Sequence, residues 1–537
     1  MAREPDPAGP ALVALATASA ALFLARAYAS TRIGFGDSEA LYASYALHPQ
    51  PAYLDHPGLV GLVMGLIGSG TAPAPESVHL VTSIAATLVP WAMALTCRAA
   101  GATWPRSLAA ALVVALAPEV AVGLFAMTPD LLLSGAWIGA LGFASAAIRC
   151  RPGSSRAAGA FAAAGLLAGV GAASKITGVT LLLGLAAAYA SRACREHART
   201  IAPWAGLAAG ALVLWPVVSF EAARGWPMLH HRLIDTQASA GPSLRNAAAL
   251  VGGQLAYLSP LVAWLAALAG RSLWRDRHDG VGSLLFACCV LPLATLVPLC
   301  LWSRVAEPHW IAPALLALAP AAARASAAPS KRLVVAACGL AASMAAVVHA
   351  WVLVPALVRL APHSYDARLD IANELYGWPQ AVRAVRDEAI ASSTPASARG
   401  DVAVVGPHWV VCAQLDSALR GEFPVGCDTP VGDDFDDWWP RARWRDADTI
   451  VWVTDTRFGP PPSLATYTLA RVRHVIIQRG GRLARTFTIA VLTHRAQARD
   501  DCGAIPHSAV IGCRPASRSS ARSSSPAGLG VVSSLSP

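Results

Sequence analysis

The sequence predicts an all-α polytopic membrane domain followed by a small extracytoplasmic α/β domain. Its 537 residues are 55% hydrophobic and only 14% charged, with a mean hydropathy of +0.48, which is too apolar for a soluble protein of this size. About eleven apolar stretches are long enough to cross a bilayer, and the composition becomes more polar after Pro355. The formal net charge is +10, but no basic block with interleaved aromatic residues occurs, so we expect no nucleic-acid partner.

The predicted spans run from the N-terminus to the end of the membrane domain. They lie near residues 11–30, 78–97, 107–126, 130–148, 157–173, 176–191, 201–220, 247–270, 281–302, 309–324 and 333–355. The first span could serve as a signal peptide, but the segment before it is nearly neutral and further spans follow. We therefore interpret it as a retained transmembrane helix.

Arginine residues orient these spans. They concentrate in every second connection, which identifies those connections as cytoplasmic. The arginine-rich connections contain Arg98 and Arg106 and the segments 149–156, 192–199, 271–277 and 324–332. The alternate connections then lie outside, and an odd number of spans also places the chain after Pro355 outside. We predict a multi-pass protein of the plasma (inner) membrane with an extracytoplasmic C-terminal domain.

Three regions follow from this arrangement. Residues 1–355 form the transmembrane domain, which includes a long first extracytoplasmic loop at 31–76, here called the first loop. Residues 356–514 form the α/β domain, and residues 515–537, rich in Ser, Arg and Pro, form a disordered tail. An apolar stretch at 58–69 is too short to span, which favours an interfacial or re-entrant helix.

In the C-terminal domain, short apolar strands alternate with helical stretches. We predict strands at 402–405, 449–454, 474–478 and 487–492, and helices near 409–419 and 463–472. A weaker helical period is present within 364–395.

The cysteines form no metal-binding pattern. Of eleven cysteines, the four in the outer domain stand where disulfides are permitted: Cys412, Cys427, Cys502 and Cys513. Their spacings allow two local bridges, but the sequence does not choose among the three pairings, and buried free thiols are an equal alternative.

The first loop carries the densest chemistry of the chain. Three carboxylates and a histidine lie within twenty residues, just beyond the first span: Asp37, Glu39, Asp55 and His56. Solvated loop charges are the ordinary alternative. A carboxylate in a cavity roofed by membrane helices, however, has a raised pKa and can accept a proton from a hydroxyl or amine near neutral pH. Charged groups near the membrane phase also tend to be functional.

The pattern Glu39-Ala-x-Tyr42 followed by Tyr53-x-Asp55-His56-Pro resembles the first extracytoplasmic loop of GT-C glycosyltransferases. The likeness is to bacterial relatives of protein O-mannosyltransferases and lipid A aminoarabinose transferases. It implies Asp37 or Glu39 as the catalytic carboxylate and the other motif residues as substrate-binding. In these relatives Asp and Glu are adjacent, whereas Ser38 here occupies the aspartate position. Asp37 is the first choice for the base because it precedes Glu39, as the catalytic aspartate does in the relatives, and Glu39 is the alternative.

Two further outer elements resemble the same family. Thr128-Pro129-Asp130 resembles its second acidic element, although Asp beside Pro is also ordinary at a helix start. Ser174-Lys175-Ile-Thr resembles its Ser-Lys-Tyr-Thr element, with Ile176 in place of tyrosine. A lone lysine here can anchor at the interface, but it is also suited to hold a lipid phosphate. We predict that both Asp130 and Lys175 bind substrate.

The stretch from Arg304 to Trp310 resembles the relatives' Arg-x-Glu-Pro-Asn-Trp element, with one extra residue before Glu307 and His309 in place of asparagine. Arginine binds phosphate oxygens bidentately. We therefore predict that Arg304 holds the leaving phosphate and that Glu307 or His309 orients it. An arginine–glutamate pair at a helix boundary is the structural alternative.

The resemblance implies transfer of a sugar from a polyprenyl-phosphate donor to a lipid, glycan or protein acceptor on the extracytoplasmic face. Inversion would follow from a single displacement with a carboxylate base, and Lys175 with Arg304 would stabilise the departing phosphate. Neither a metal nor another cofactor is expected. The alternative is a multi-pass transporter or lipid-linked sugar flippase, which should contain inverted repeats and charges nearer the middle of its helices. The sequence contains no clear repeat, and its charges gather at one surface.

Overall fold

The computed structural model describes residues 8–237, 240–393, 402–461 and 463–495. Helices dominate the chain up to Leu353, and one mixed sheet follows in the C-terminal part. The predicted disordered tail at 515–537, together with Cys502 and Cys513, lies outside the described residues.

Among the residues that the structure describes, seven helices are long and apolar enough to cross a membrane. They are Ala8–Ser30, Pro75–Ala99, Pro129–Arg149, Ser155–Ser174, Ala202–Ala223, Gly280–Trp302 and Lys331–Leu353. Within the described ranges the number rises to ten if each of three bent helix pairs counts as one span. The multi-pass membrane architecture is confirmed. The predicted count of about eleven spans, given to within one or two, overlaps the upper end of this range.

Two of the bends occur where a proline begins the second helix. Trp104–Leu116 meets Pro118–Phe125 at 70°, and Leu244–Leu258 meets Pro260–Asp276 at 101°. Proline has no N–H to donate, and its ring clashes with the preceding helical turn. At the second bend Ser259 also adopts a positive φ of 74°, which no α-helix contains. The predicted straight span at 247–270 is therefore two helices.

The predicted span at 309–324 is also broken. Three short helices replace it: Pro308–Ile311, Ala312–Leu315 and Leu318–Arg324. Prolines at 308, 313 and 320 recur through this stretch, so continuous i to i−4 hydrogen bonding is interrupted. A third bent pair, Ile176–Ala190 with Arg192–Ala198, follows Lys175.

Two helices and a tight turn build the first loop. The loop helix, Asp37–Tyr45, begins after Gly36, and Leu59–Ile67 forms a short helix within the predicted interfacial stretch at 58–69. Between them, the N–H of Tyr53 donates to the carbonyl of His56 at 2.9 Å and that of Gly58 to the carbonyl of Pro51 at 2.8 Å. A Cβ at Gly58 would collide with the backbone of Gln50. Glycine is therefore needed for this turn, which fixes Asp55 and His56 at its tip.

Five strands form the C-terminal sheet in the order β2-β1-β3-β5-β4. They are β1 (Val402–Gly406), β2 (Val425–Cys427), β3 (Thr449–Asp455), β4 (Tyr467–Arg479) and β5 (Arg482–His494). β1 lies parallel to β2 and β3, and β5 lies antiparallel to β3 and β4. The helices of this part are Trp378–Ser392, Trp409–Leu419, Asp434–Trp438 and Arg441–Arg445.

One predicted helix of this domain is wrong. The stretch near 463–472 enters the long edge strand β4, which pairs with β5 across a hairpin. Gly480 and Gly481 link Arg479 to Arg482, and both have positive φ, 61° and 83°. Two glycines between strand-forming residues are a strong hairpin signal because such turns require positive φ. The pairing with β5 therefore overrides the helical spacing at the start of β4.

The first loop and the C-terminal domain share a hydrophobic core. Buried Leu41 and Tyr45 of the loop helix belong to the same cluster as Val411 and Leu415 of the helix Trp409–Leu419, here called the domain helix. The hydroxyl of Ser44 donates to a carbonyl of the domain helix at 3.2 Å. The loop helix is nearly all buried, and the C-terminal domain contributes part of the surface that buries it.

Candidate functional site

Asp37 faces the C-terminal domain. Its side chain is 1% exposed and forms an ion pair with Arg457, while Gln414 of the domain helix donates to Asp37 Oδ1 at 3.2 Å. Arg457 also donates to Asp455 at 2.9 Å. Burial raises the pKa of Asp37, and the Arg457 guanidinium opposes this rise. The first predicted catalytic carboxylate is thus enclosed in a polar network between loop and domain.

Glu39 faces the membrane helices. Its Oε2 lies 2.8 Å from Nε2 of His79, in the span Pro75–Ala99, and its Oε1 accepts a hydrogen bond of 2.8 Å from the backbone N–H of Met127. Both side chains are almost fully buried, at 2% and 1% exposure. Glu39 therefore joins the loop helix to a span and to the turn that leads into Asp130.

Asp55 is the third carboxylate of the first loop, and it is more open, with its side chain 26% exposed. Arg232 Nη2 lies 2.9 Å from Asp55 Oδ1, and His231 Nε2 lies 3.8 Å from the same oxygen. Burial would raise the pKa of Asp55, but Arg232, His56 and His231 hold it below its ordinary value. Asp55 is therefore ionised and paired with Arg232.

A second group of charges lies around Lys175. Its Nζ donates to both carboxylate oxygens of Asp130 at 2.9 Å and lies 3.2 Å from His309 Nε2. His309 Nδ1 is 2.9 Å from Glu307 Oε2, and the ring of Trp310 lies 5.7 Å from the ammonium. Four charged or titratable side chains from three separate connections thus form one chain of contacts.

His56 and Tyr42 connect the two groups. The charges of Arg232, Lys175, Asp55 and Asp130 all act on His56. Burial, together with the two cations, lowers the pKa of His56 to about 3, so this imidazole is neutral at physiological pH. Its ring lies 5.6 Å from that of Tyr42. We call the whole assembly the open charge cluster, which comprises Asp55, His56, Asp130, Lys175, Arg232, Glu307 and His309.

The remaining predicted residues have other surroundings. Tyr53 stacks on Tyr45 with ring centroids 3.5 Å apart, and its hydroxyl donates to the carbonyl of His48 at 2.8 Å. These contacts shape the loop. Arg304 is exposed, and its backbone N–H donates to the side chain of Gln237 at 3.1 Å.

Two arginines of the site escaped prediction as functional residues. Arg232 lies in a loop that the arginine pattern predicts to be outside, and that position was its only signal. Arg457 follows a fully buried strand, β3, but nothing in its neighbourhood pointed to a partner 420 residues away.

A mostly apolar cavity of about 590 Å³ lies between the helices. Glu119 lines it and interacts electrostatically with His309, Asp130 and Lys175. Arg106, Arg271, Arg275 and Lys331 also line it, and all four belong to connections predicted to be cytoplasmic. Glu119 therefore relates the cavity electrostatically to the open charge cluster. In the described part of the chain, no group of three or more His, Cys, Asp or Glu side chains is arranged to hold a metal ion.

This architecture has counterparts among solved structures. ArnT from Cupriavidus metallidurans in the apo state aligns with a TM-score of 0.56 and 16% identity, covering 88% of this chain and 97% of that protein. The same protein bound to undecaprenyl phosphate aligns with a TM-score of 0.56 and 17% identity, over 90% and 98% of the two chains. The chain has the GT-C fold. The resemblance in the outer-loop motifs is thereby confirmed at the level of the fold.

A family match supports the same conclusion. The family described as dolichyl-phosphate-mannose-protein mannosyltransferase matches residues 55–220. This region begins at Asp55 and includes Asp130 and Lys175, three members of the open charge cluster. No curated protein sequence matches the chain significantly.

Proposed function

We propose that this GT-C protein transfers a sugar from a polyprenyl-phosphate donor to an acceptor on the extracytoplasmic face of the inner membrane. The observation that carries the proposal is the open charge cluster. In it Lys175 and His309 lie 3.2 Å apart, and Lys175 and Arg232 both interact electrostatically with His56. A cluster of cationic side chains such as this one can bind a phosphate group. The ArnT structure with bound undecaprenyl phosphate supports a lipid of this class.

Lys175 and Arg232 are the primary phosphate ligands in this proposal. Each is already paired with a carboxylate, Asp130 or Asp55, at 2.9 Å, so its charge is compensated before the donor arrives. A phosphate that enters between them exchanges one anionic partner for another. Arg304, predicted from its motif, lies on the adjoining loop and contributes from the rim. The apolar cavity that begins at Glu119 offers room for part of an isoprenoid chain.

One carboxylate of the first loop serves as the base. Asp55 is the best placed, because it is partly exposed within the open charge cluster, whereas Asp37 and Glu39 are buried against Arg457 and His79. Arg232 holds the pKa of Asp55 low in the free protein. When a phosphate engages Arg232, this effect weakens and the basicity of Asp55 rises. Asp37 and Glu39 remain the alternatives from the family pattern.

The reaction is a single displacement with inversion. An acceptor hydroxyl or amine attacks the anomeric carbon, the bond from that carbon to the phosphate oxygen breaks, and the carboxylate takes the acceptor's proton. The electron pair of the broken bond leaves with the polyprenyl phosphate, whose added charge is stabilised by Lys175 and Arg232. The acceptor is a lipid, a glycan or a protein, and none of the steps requires a metal ion.

The donor class can be tested without knowledge of the acceptor. Protein purified from membranes is extracted, and its lipids are identified by mass spectrometry. We expect a polyprenyl-phosphate sugar or polyprenyl phosphate with the wild-type protein and a strongly reduced amount with Lys175→Met. If neither protein retains such a lipid, and added polyprenyl phosphate does not raise the unfolding temperature of the wild type, the proposal is wrong.

A further inference from the structure

Two cysteines of the C-terminal domain face each other. Cys412 lies in the first turn of the domain helix, and Cys427 is the last residue of β2. Their sulfur atoms are 2.8 Å apart, and both residues are buried, at 0% and 1% exposure. Ordinary non-bonded contacts between carbon atoms are about 3.5–4.0 Å, so these two sulfurs are closer than packing alone favours.

The surrounding backbone holds the two sulfurs in this position. A Cβ at Gly406, the last residue of β1, would lie 2.9 Å from the sulfur of Cys412. On the other side, the carbonyl of Gly426 lies 3.5 Å from the same sulfur, and Gly426 is closely covered by the ring of Trp444. β1 and β2 are paired in register, Gly406 with Cys427, so the strand that carries Cys427 lies beside the glycine that contacts Cys412.

We propose that Cys412 and Cys427 form an intrachain disulfide in the mature protein. Each thiol loses one proton and one electron, and the sulfur–sulfur bond closes. The two electrons and two protons pass to the disulfide of a thiol-oxidising protein through a mixed disulfide, which leaves that protein as a dithiol. The proposal requires the C-terminal domain to lie in an oxidising compartment, as the arginine distribution predicts, and it is independent of the sugar-transfer proposal.

The disulfide would stabilise the part of the domain helix that contacts the first loop. Gln414, two residues after Cys412, donates to the carbonyl of Phe35 at 2.9 Å and to Asp37 at 3.2 Å. Ala413 accepts the hydroxyl of Ser44. A disulfide from the domain helix to β2 therefore fixes the surface on which the loop helix rests. Closing a loop of about 15 residues restricts the unfolded chain and stabilises the fold.

Differential alkylation of the full chain tests this proposal. Membrane-purified protein is denatured in one alkylating reagent without reductant, then reduced and treated with an isotopically distinct reagent, digested and analysed by mass spectrometry. We expect Cys412 and Cys427 to carry only the second label and to appear in one cross-linked peptide before reduction. Cys288 and Cys289, adjacent thiols within the span Gly280–Trp302, are the matched control and should carry the first label.

The same experiment contains the result that would overturn the proposal. First label on both Cys412 and Cys427, or a cross-link from either one to Cys502 or Cys513, shows that the bond does not form. A variant separates the pairing from general oxidation, since Cys412→Ser should leave Cys427 with the first label, whereas Cys502→Ser should leave the cross-link intact. Reductant should lower the unfolding temperature of the wild type by roughly 5–10 °C and leave that of Cys412→Ser unchanged.

Discussion

Arg457 of the C-terminal domain donates a hydrogen bond to Asp37, the first residue of the loop helix. The same guanidinium binds Asp455 at 2.9 Å, and Arg485 lies 3.4 Å from that aspartate. Asp455 is fully buried and Arg485 is 3% exposed. The first loop and the C-terminal domain, which are distant in sequence, therefore contact each other through a buried ionic network. This network stabilises the position of the loop that carries the family motif.

Breaking this ion pair should destabilise the protein. In Arg457→Met the buried Asp37 loses its counter-charge, and we expect a loss of about 3–5 kcal/mol in the free energy of unfolding, measured by denaturant or thermal unfolding in detergent. Arg473→Met is the matched control, since Arg473 is 44% exposed and lies 3.5 Å from Asp387, and its loss should be within about 1 kcal/mol. Equal losses in the two variants would contradict the role of the network.

The double variant Asp37→Asn with Arg457→Met refines this test. Removing both charges leaves no unpaired ion, so the double variant should be more stable than Arg457→Met alone. Strictly additive losses would mean that the two side chains do not depend on each other.

The membrane architecture was predictable because apolar length and arginine placement depend on local sequence. Asp130, Lys175 and His309 were also predictable as neighbours, since the arginine pattern predicts that each connection containing them lies on the same side of the membrane. Arg457 was not, because its partner is 420 residues away and no local pattern encodes that distance. The bend at Ser259 and the strand β4 were missed for a related reason. A positive φ and a cross-strand partner decided those conformations, whereas the prediction relied on hydrophobic spacing.

The position of the base can be decided by three conservative variants. Asp55→Asn should reduce sugar transfer by about a hundredfold or more, the usual scale for loss of a general base, while the donor lipid still copurifies. For Asp37→Asn and Glu39→Gln we expect smaller losses in turnover and a lower unfolding temperature, because these carboxylates hold buried contacts. Transfer is measured with the copurifying donor and extracted acceptors.

A different outcome would move the assignment. If Asp37→Asn loses turnover but keeps its stability, Asp37, which the family pattern favours, is the general base. If all three variants transfer sugar at the wild-type rate, the glycosyltransferase proposal fails. The transporter alternative should then be examined with the same proteins in liposomes.

The phosphate ligands should affect the donor step. Lys175→Met and Arg232→Met are each expected to slow transfer by about two orders of magnitude or more, since each removes a charge that stabilises the leaving phosphate. Arg304→Met should have a smaller effect because this residue is exposed. Arg224→Met is the control: it lies in the same outer region, over the ring of Phe220. Undiminished turnover in Lys175→Met would identify the lysine as an interfacial anchor.

Reporter fusions test the orientation. A reporter that is active only outside the cytoplasm should be active after residues 70, 240 and 360 and silent after residues 153 and 276, because the arginine-rich connections stay inside. An active fusion at 153 together with a silent fusion at 360 would reverse the arrangement. The disulfide proposed for Cys412 and Cys427 would then face a reducing compartment.

Stability should depend on pH through Asp434, which joins the C-terminal domain to the first loop. Its Oδ1 accepts the N–H of Leu54 at 3.0 Å and its Oδ2 the hydroxyl of Tyr45 at 3.2 Å, and burial raises its pKa to about 7. Between about pH 4 and pH 7 the folded protein therefore holds a proton that the unfolded chain has released, so stability falls as the pH rises through this window, by at most about 1.4 kcal/mol per unit. We expect a higher unfolding temperature at pH 5 than at pH 8. Asp434→Asn, which mimics the protonated form, should flatten the dependence of unfolding temperature on pH. The exposed control Asp437→Asn should retain this dependence. An unchanged dependence in Asp434→Asn would exclude this carboxyl as the titrating group.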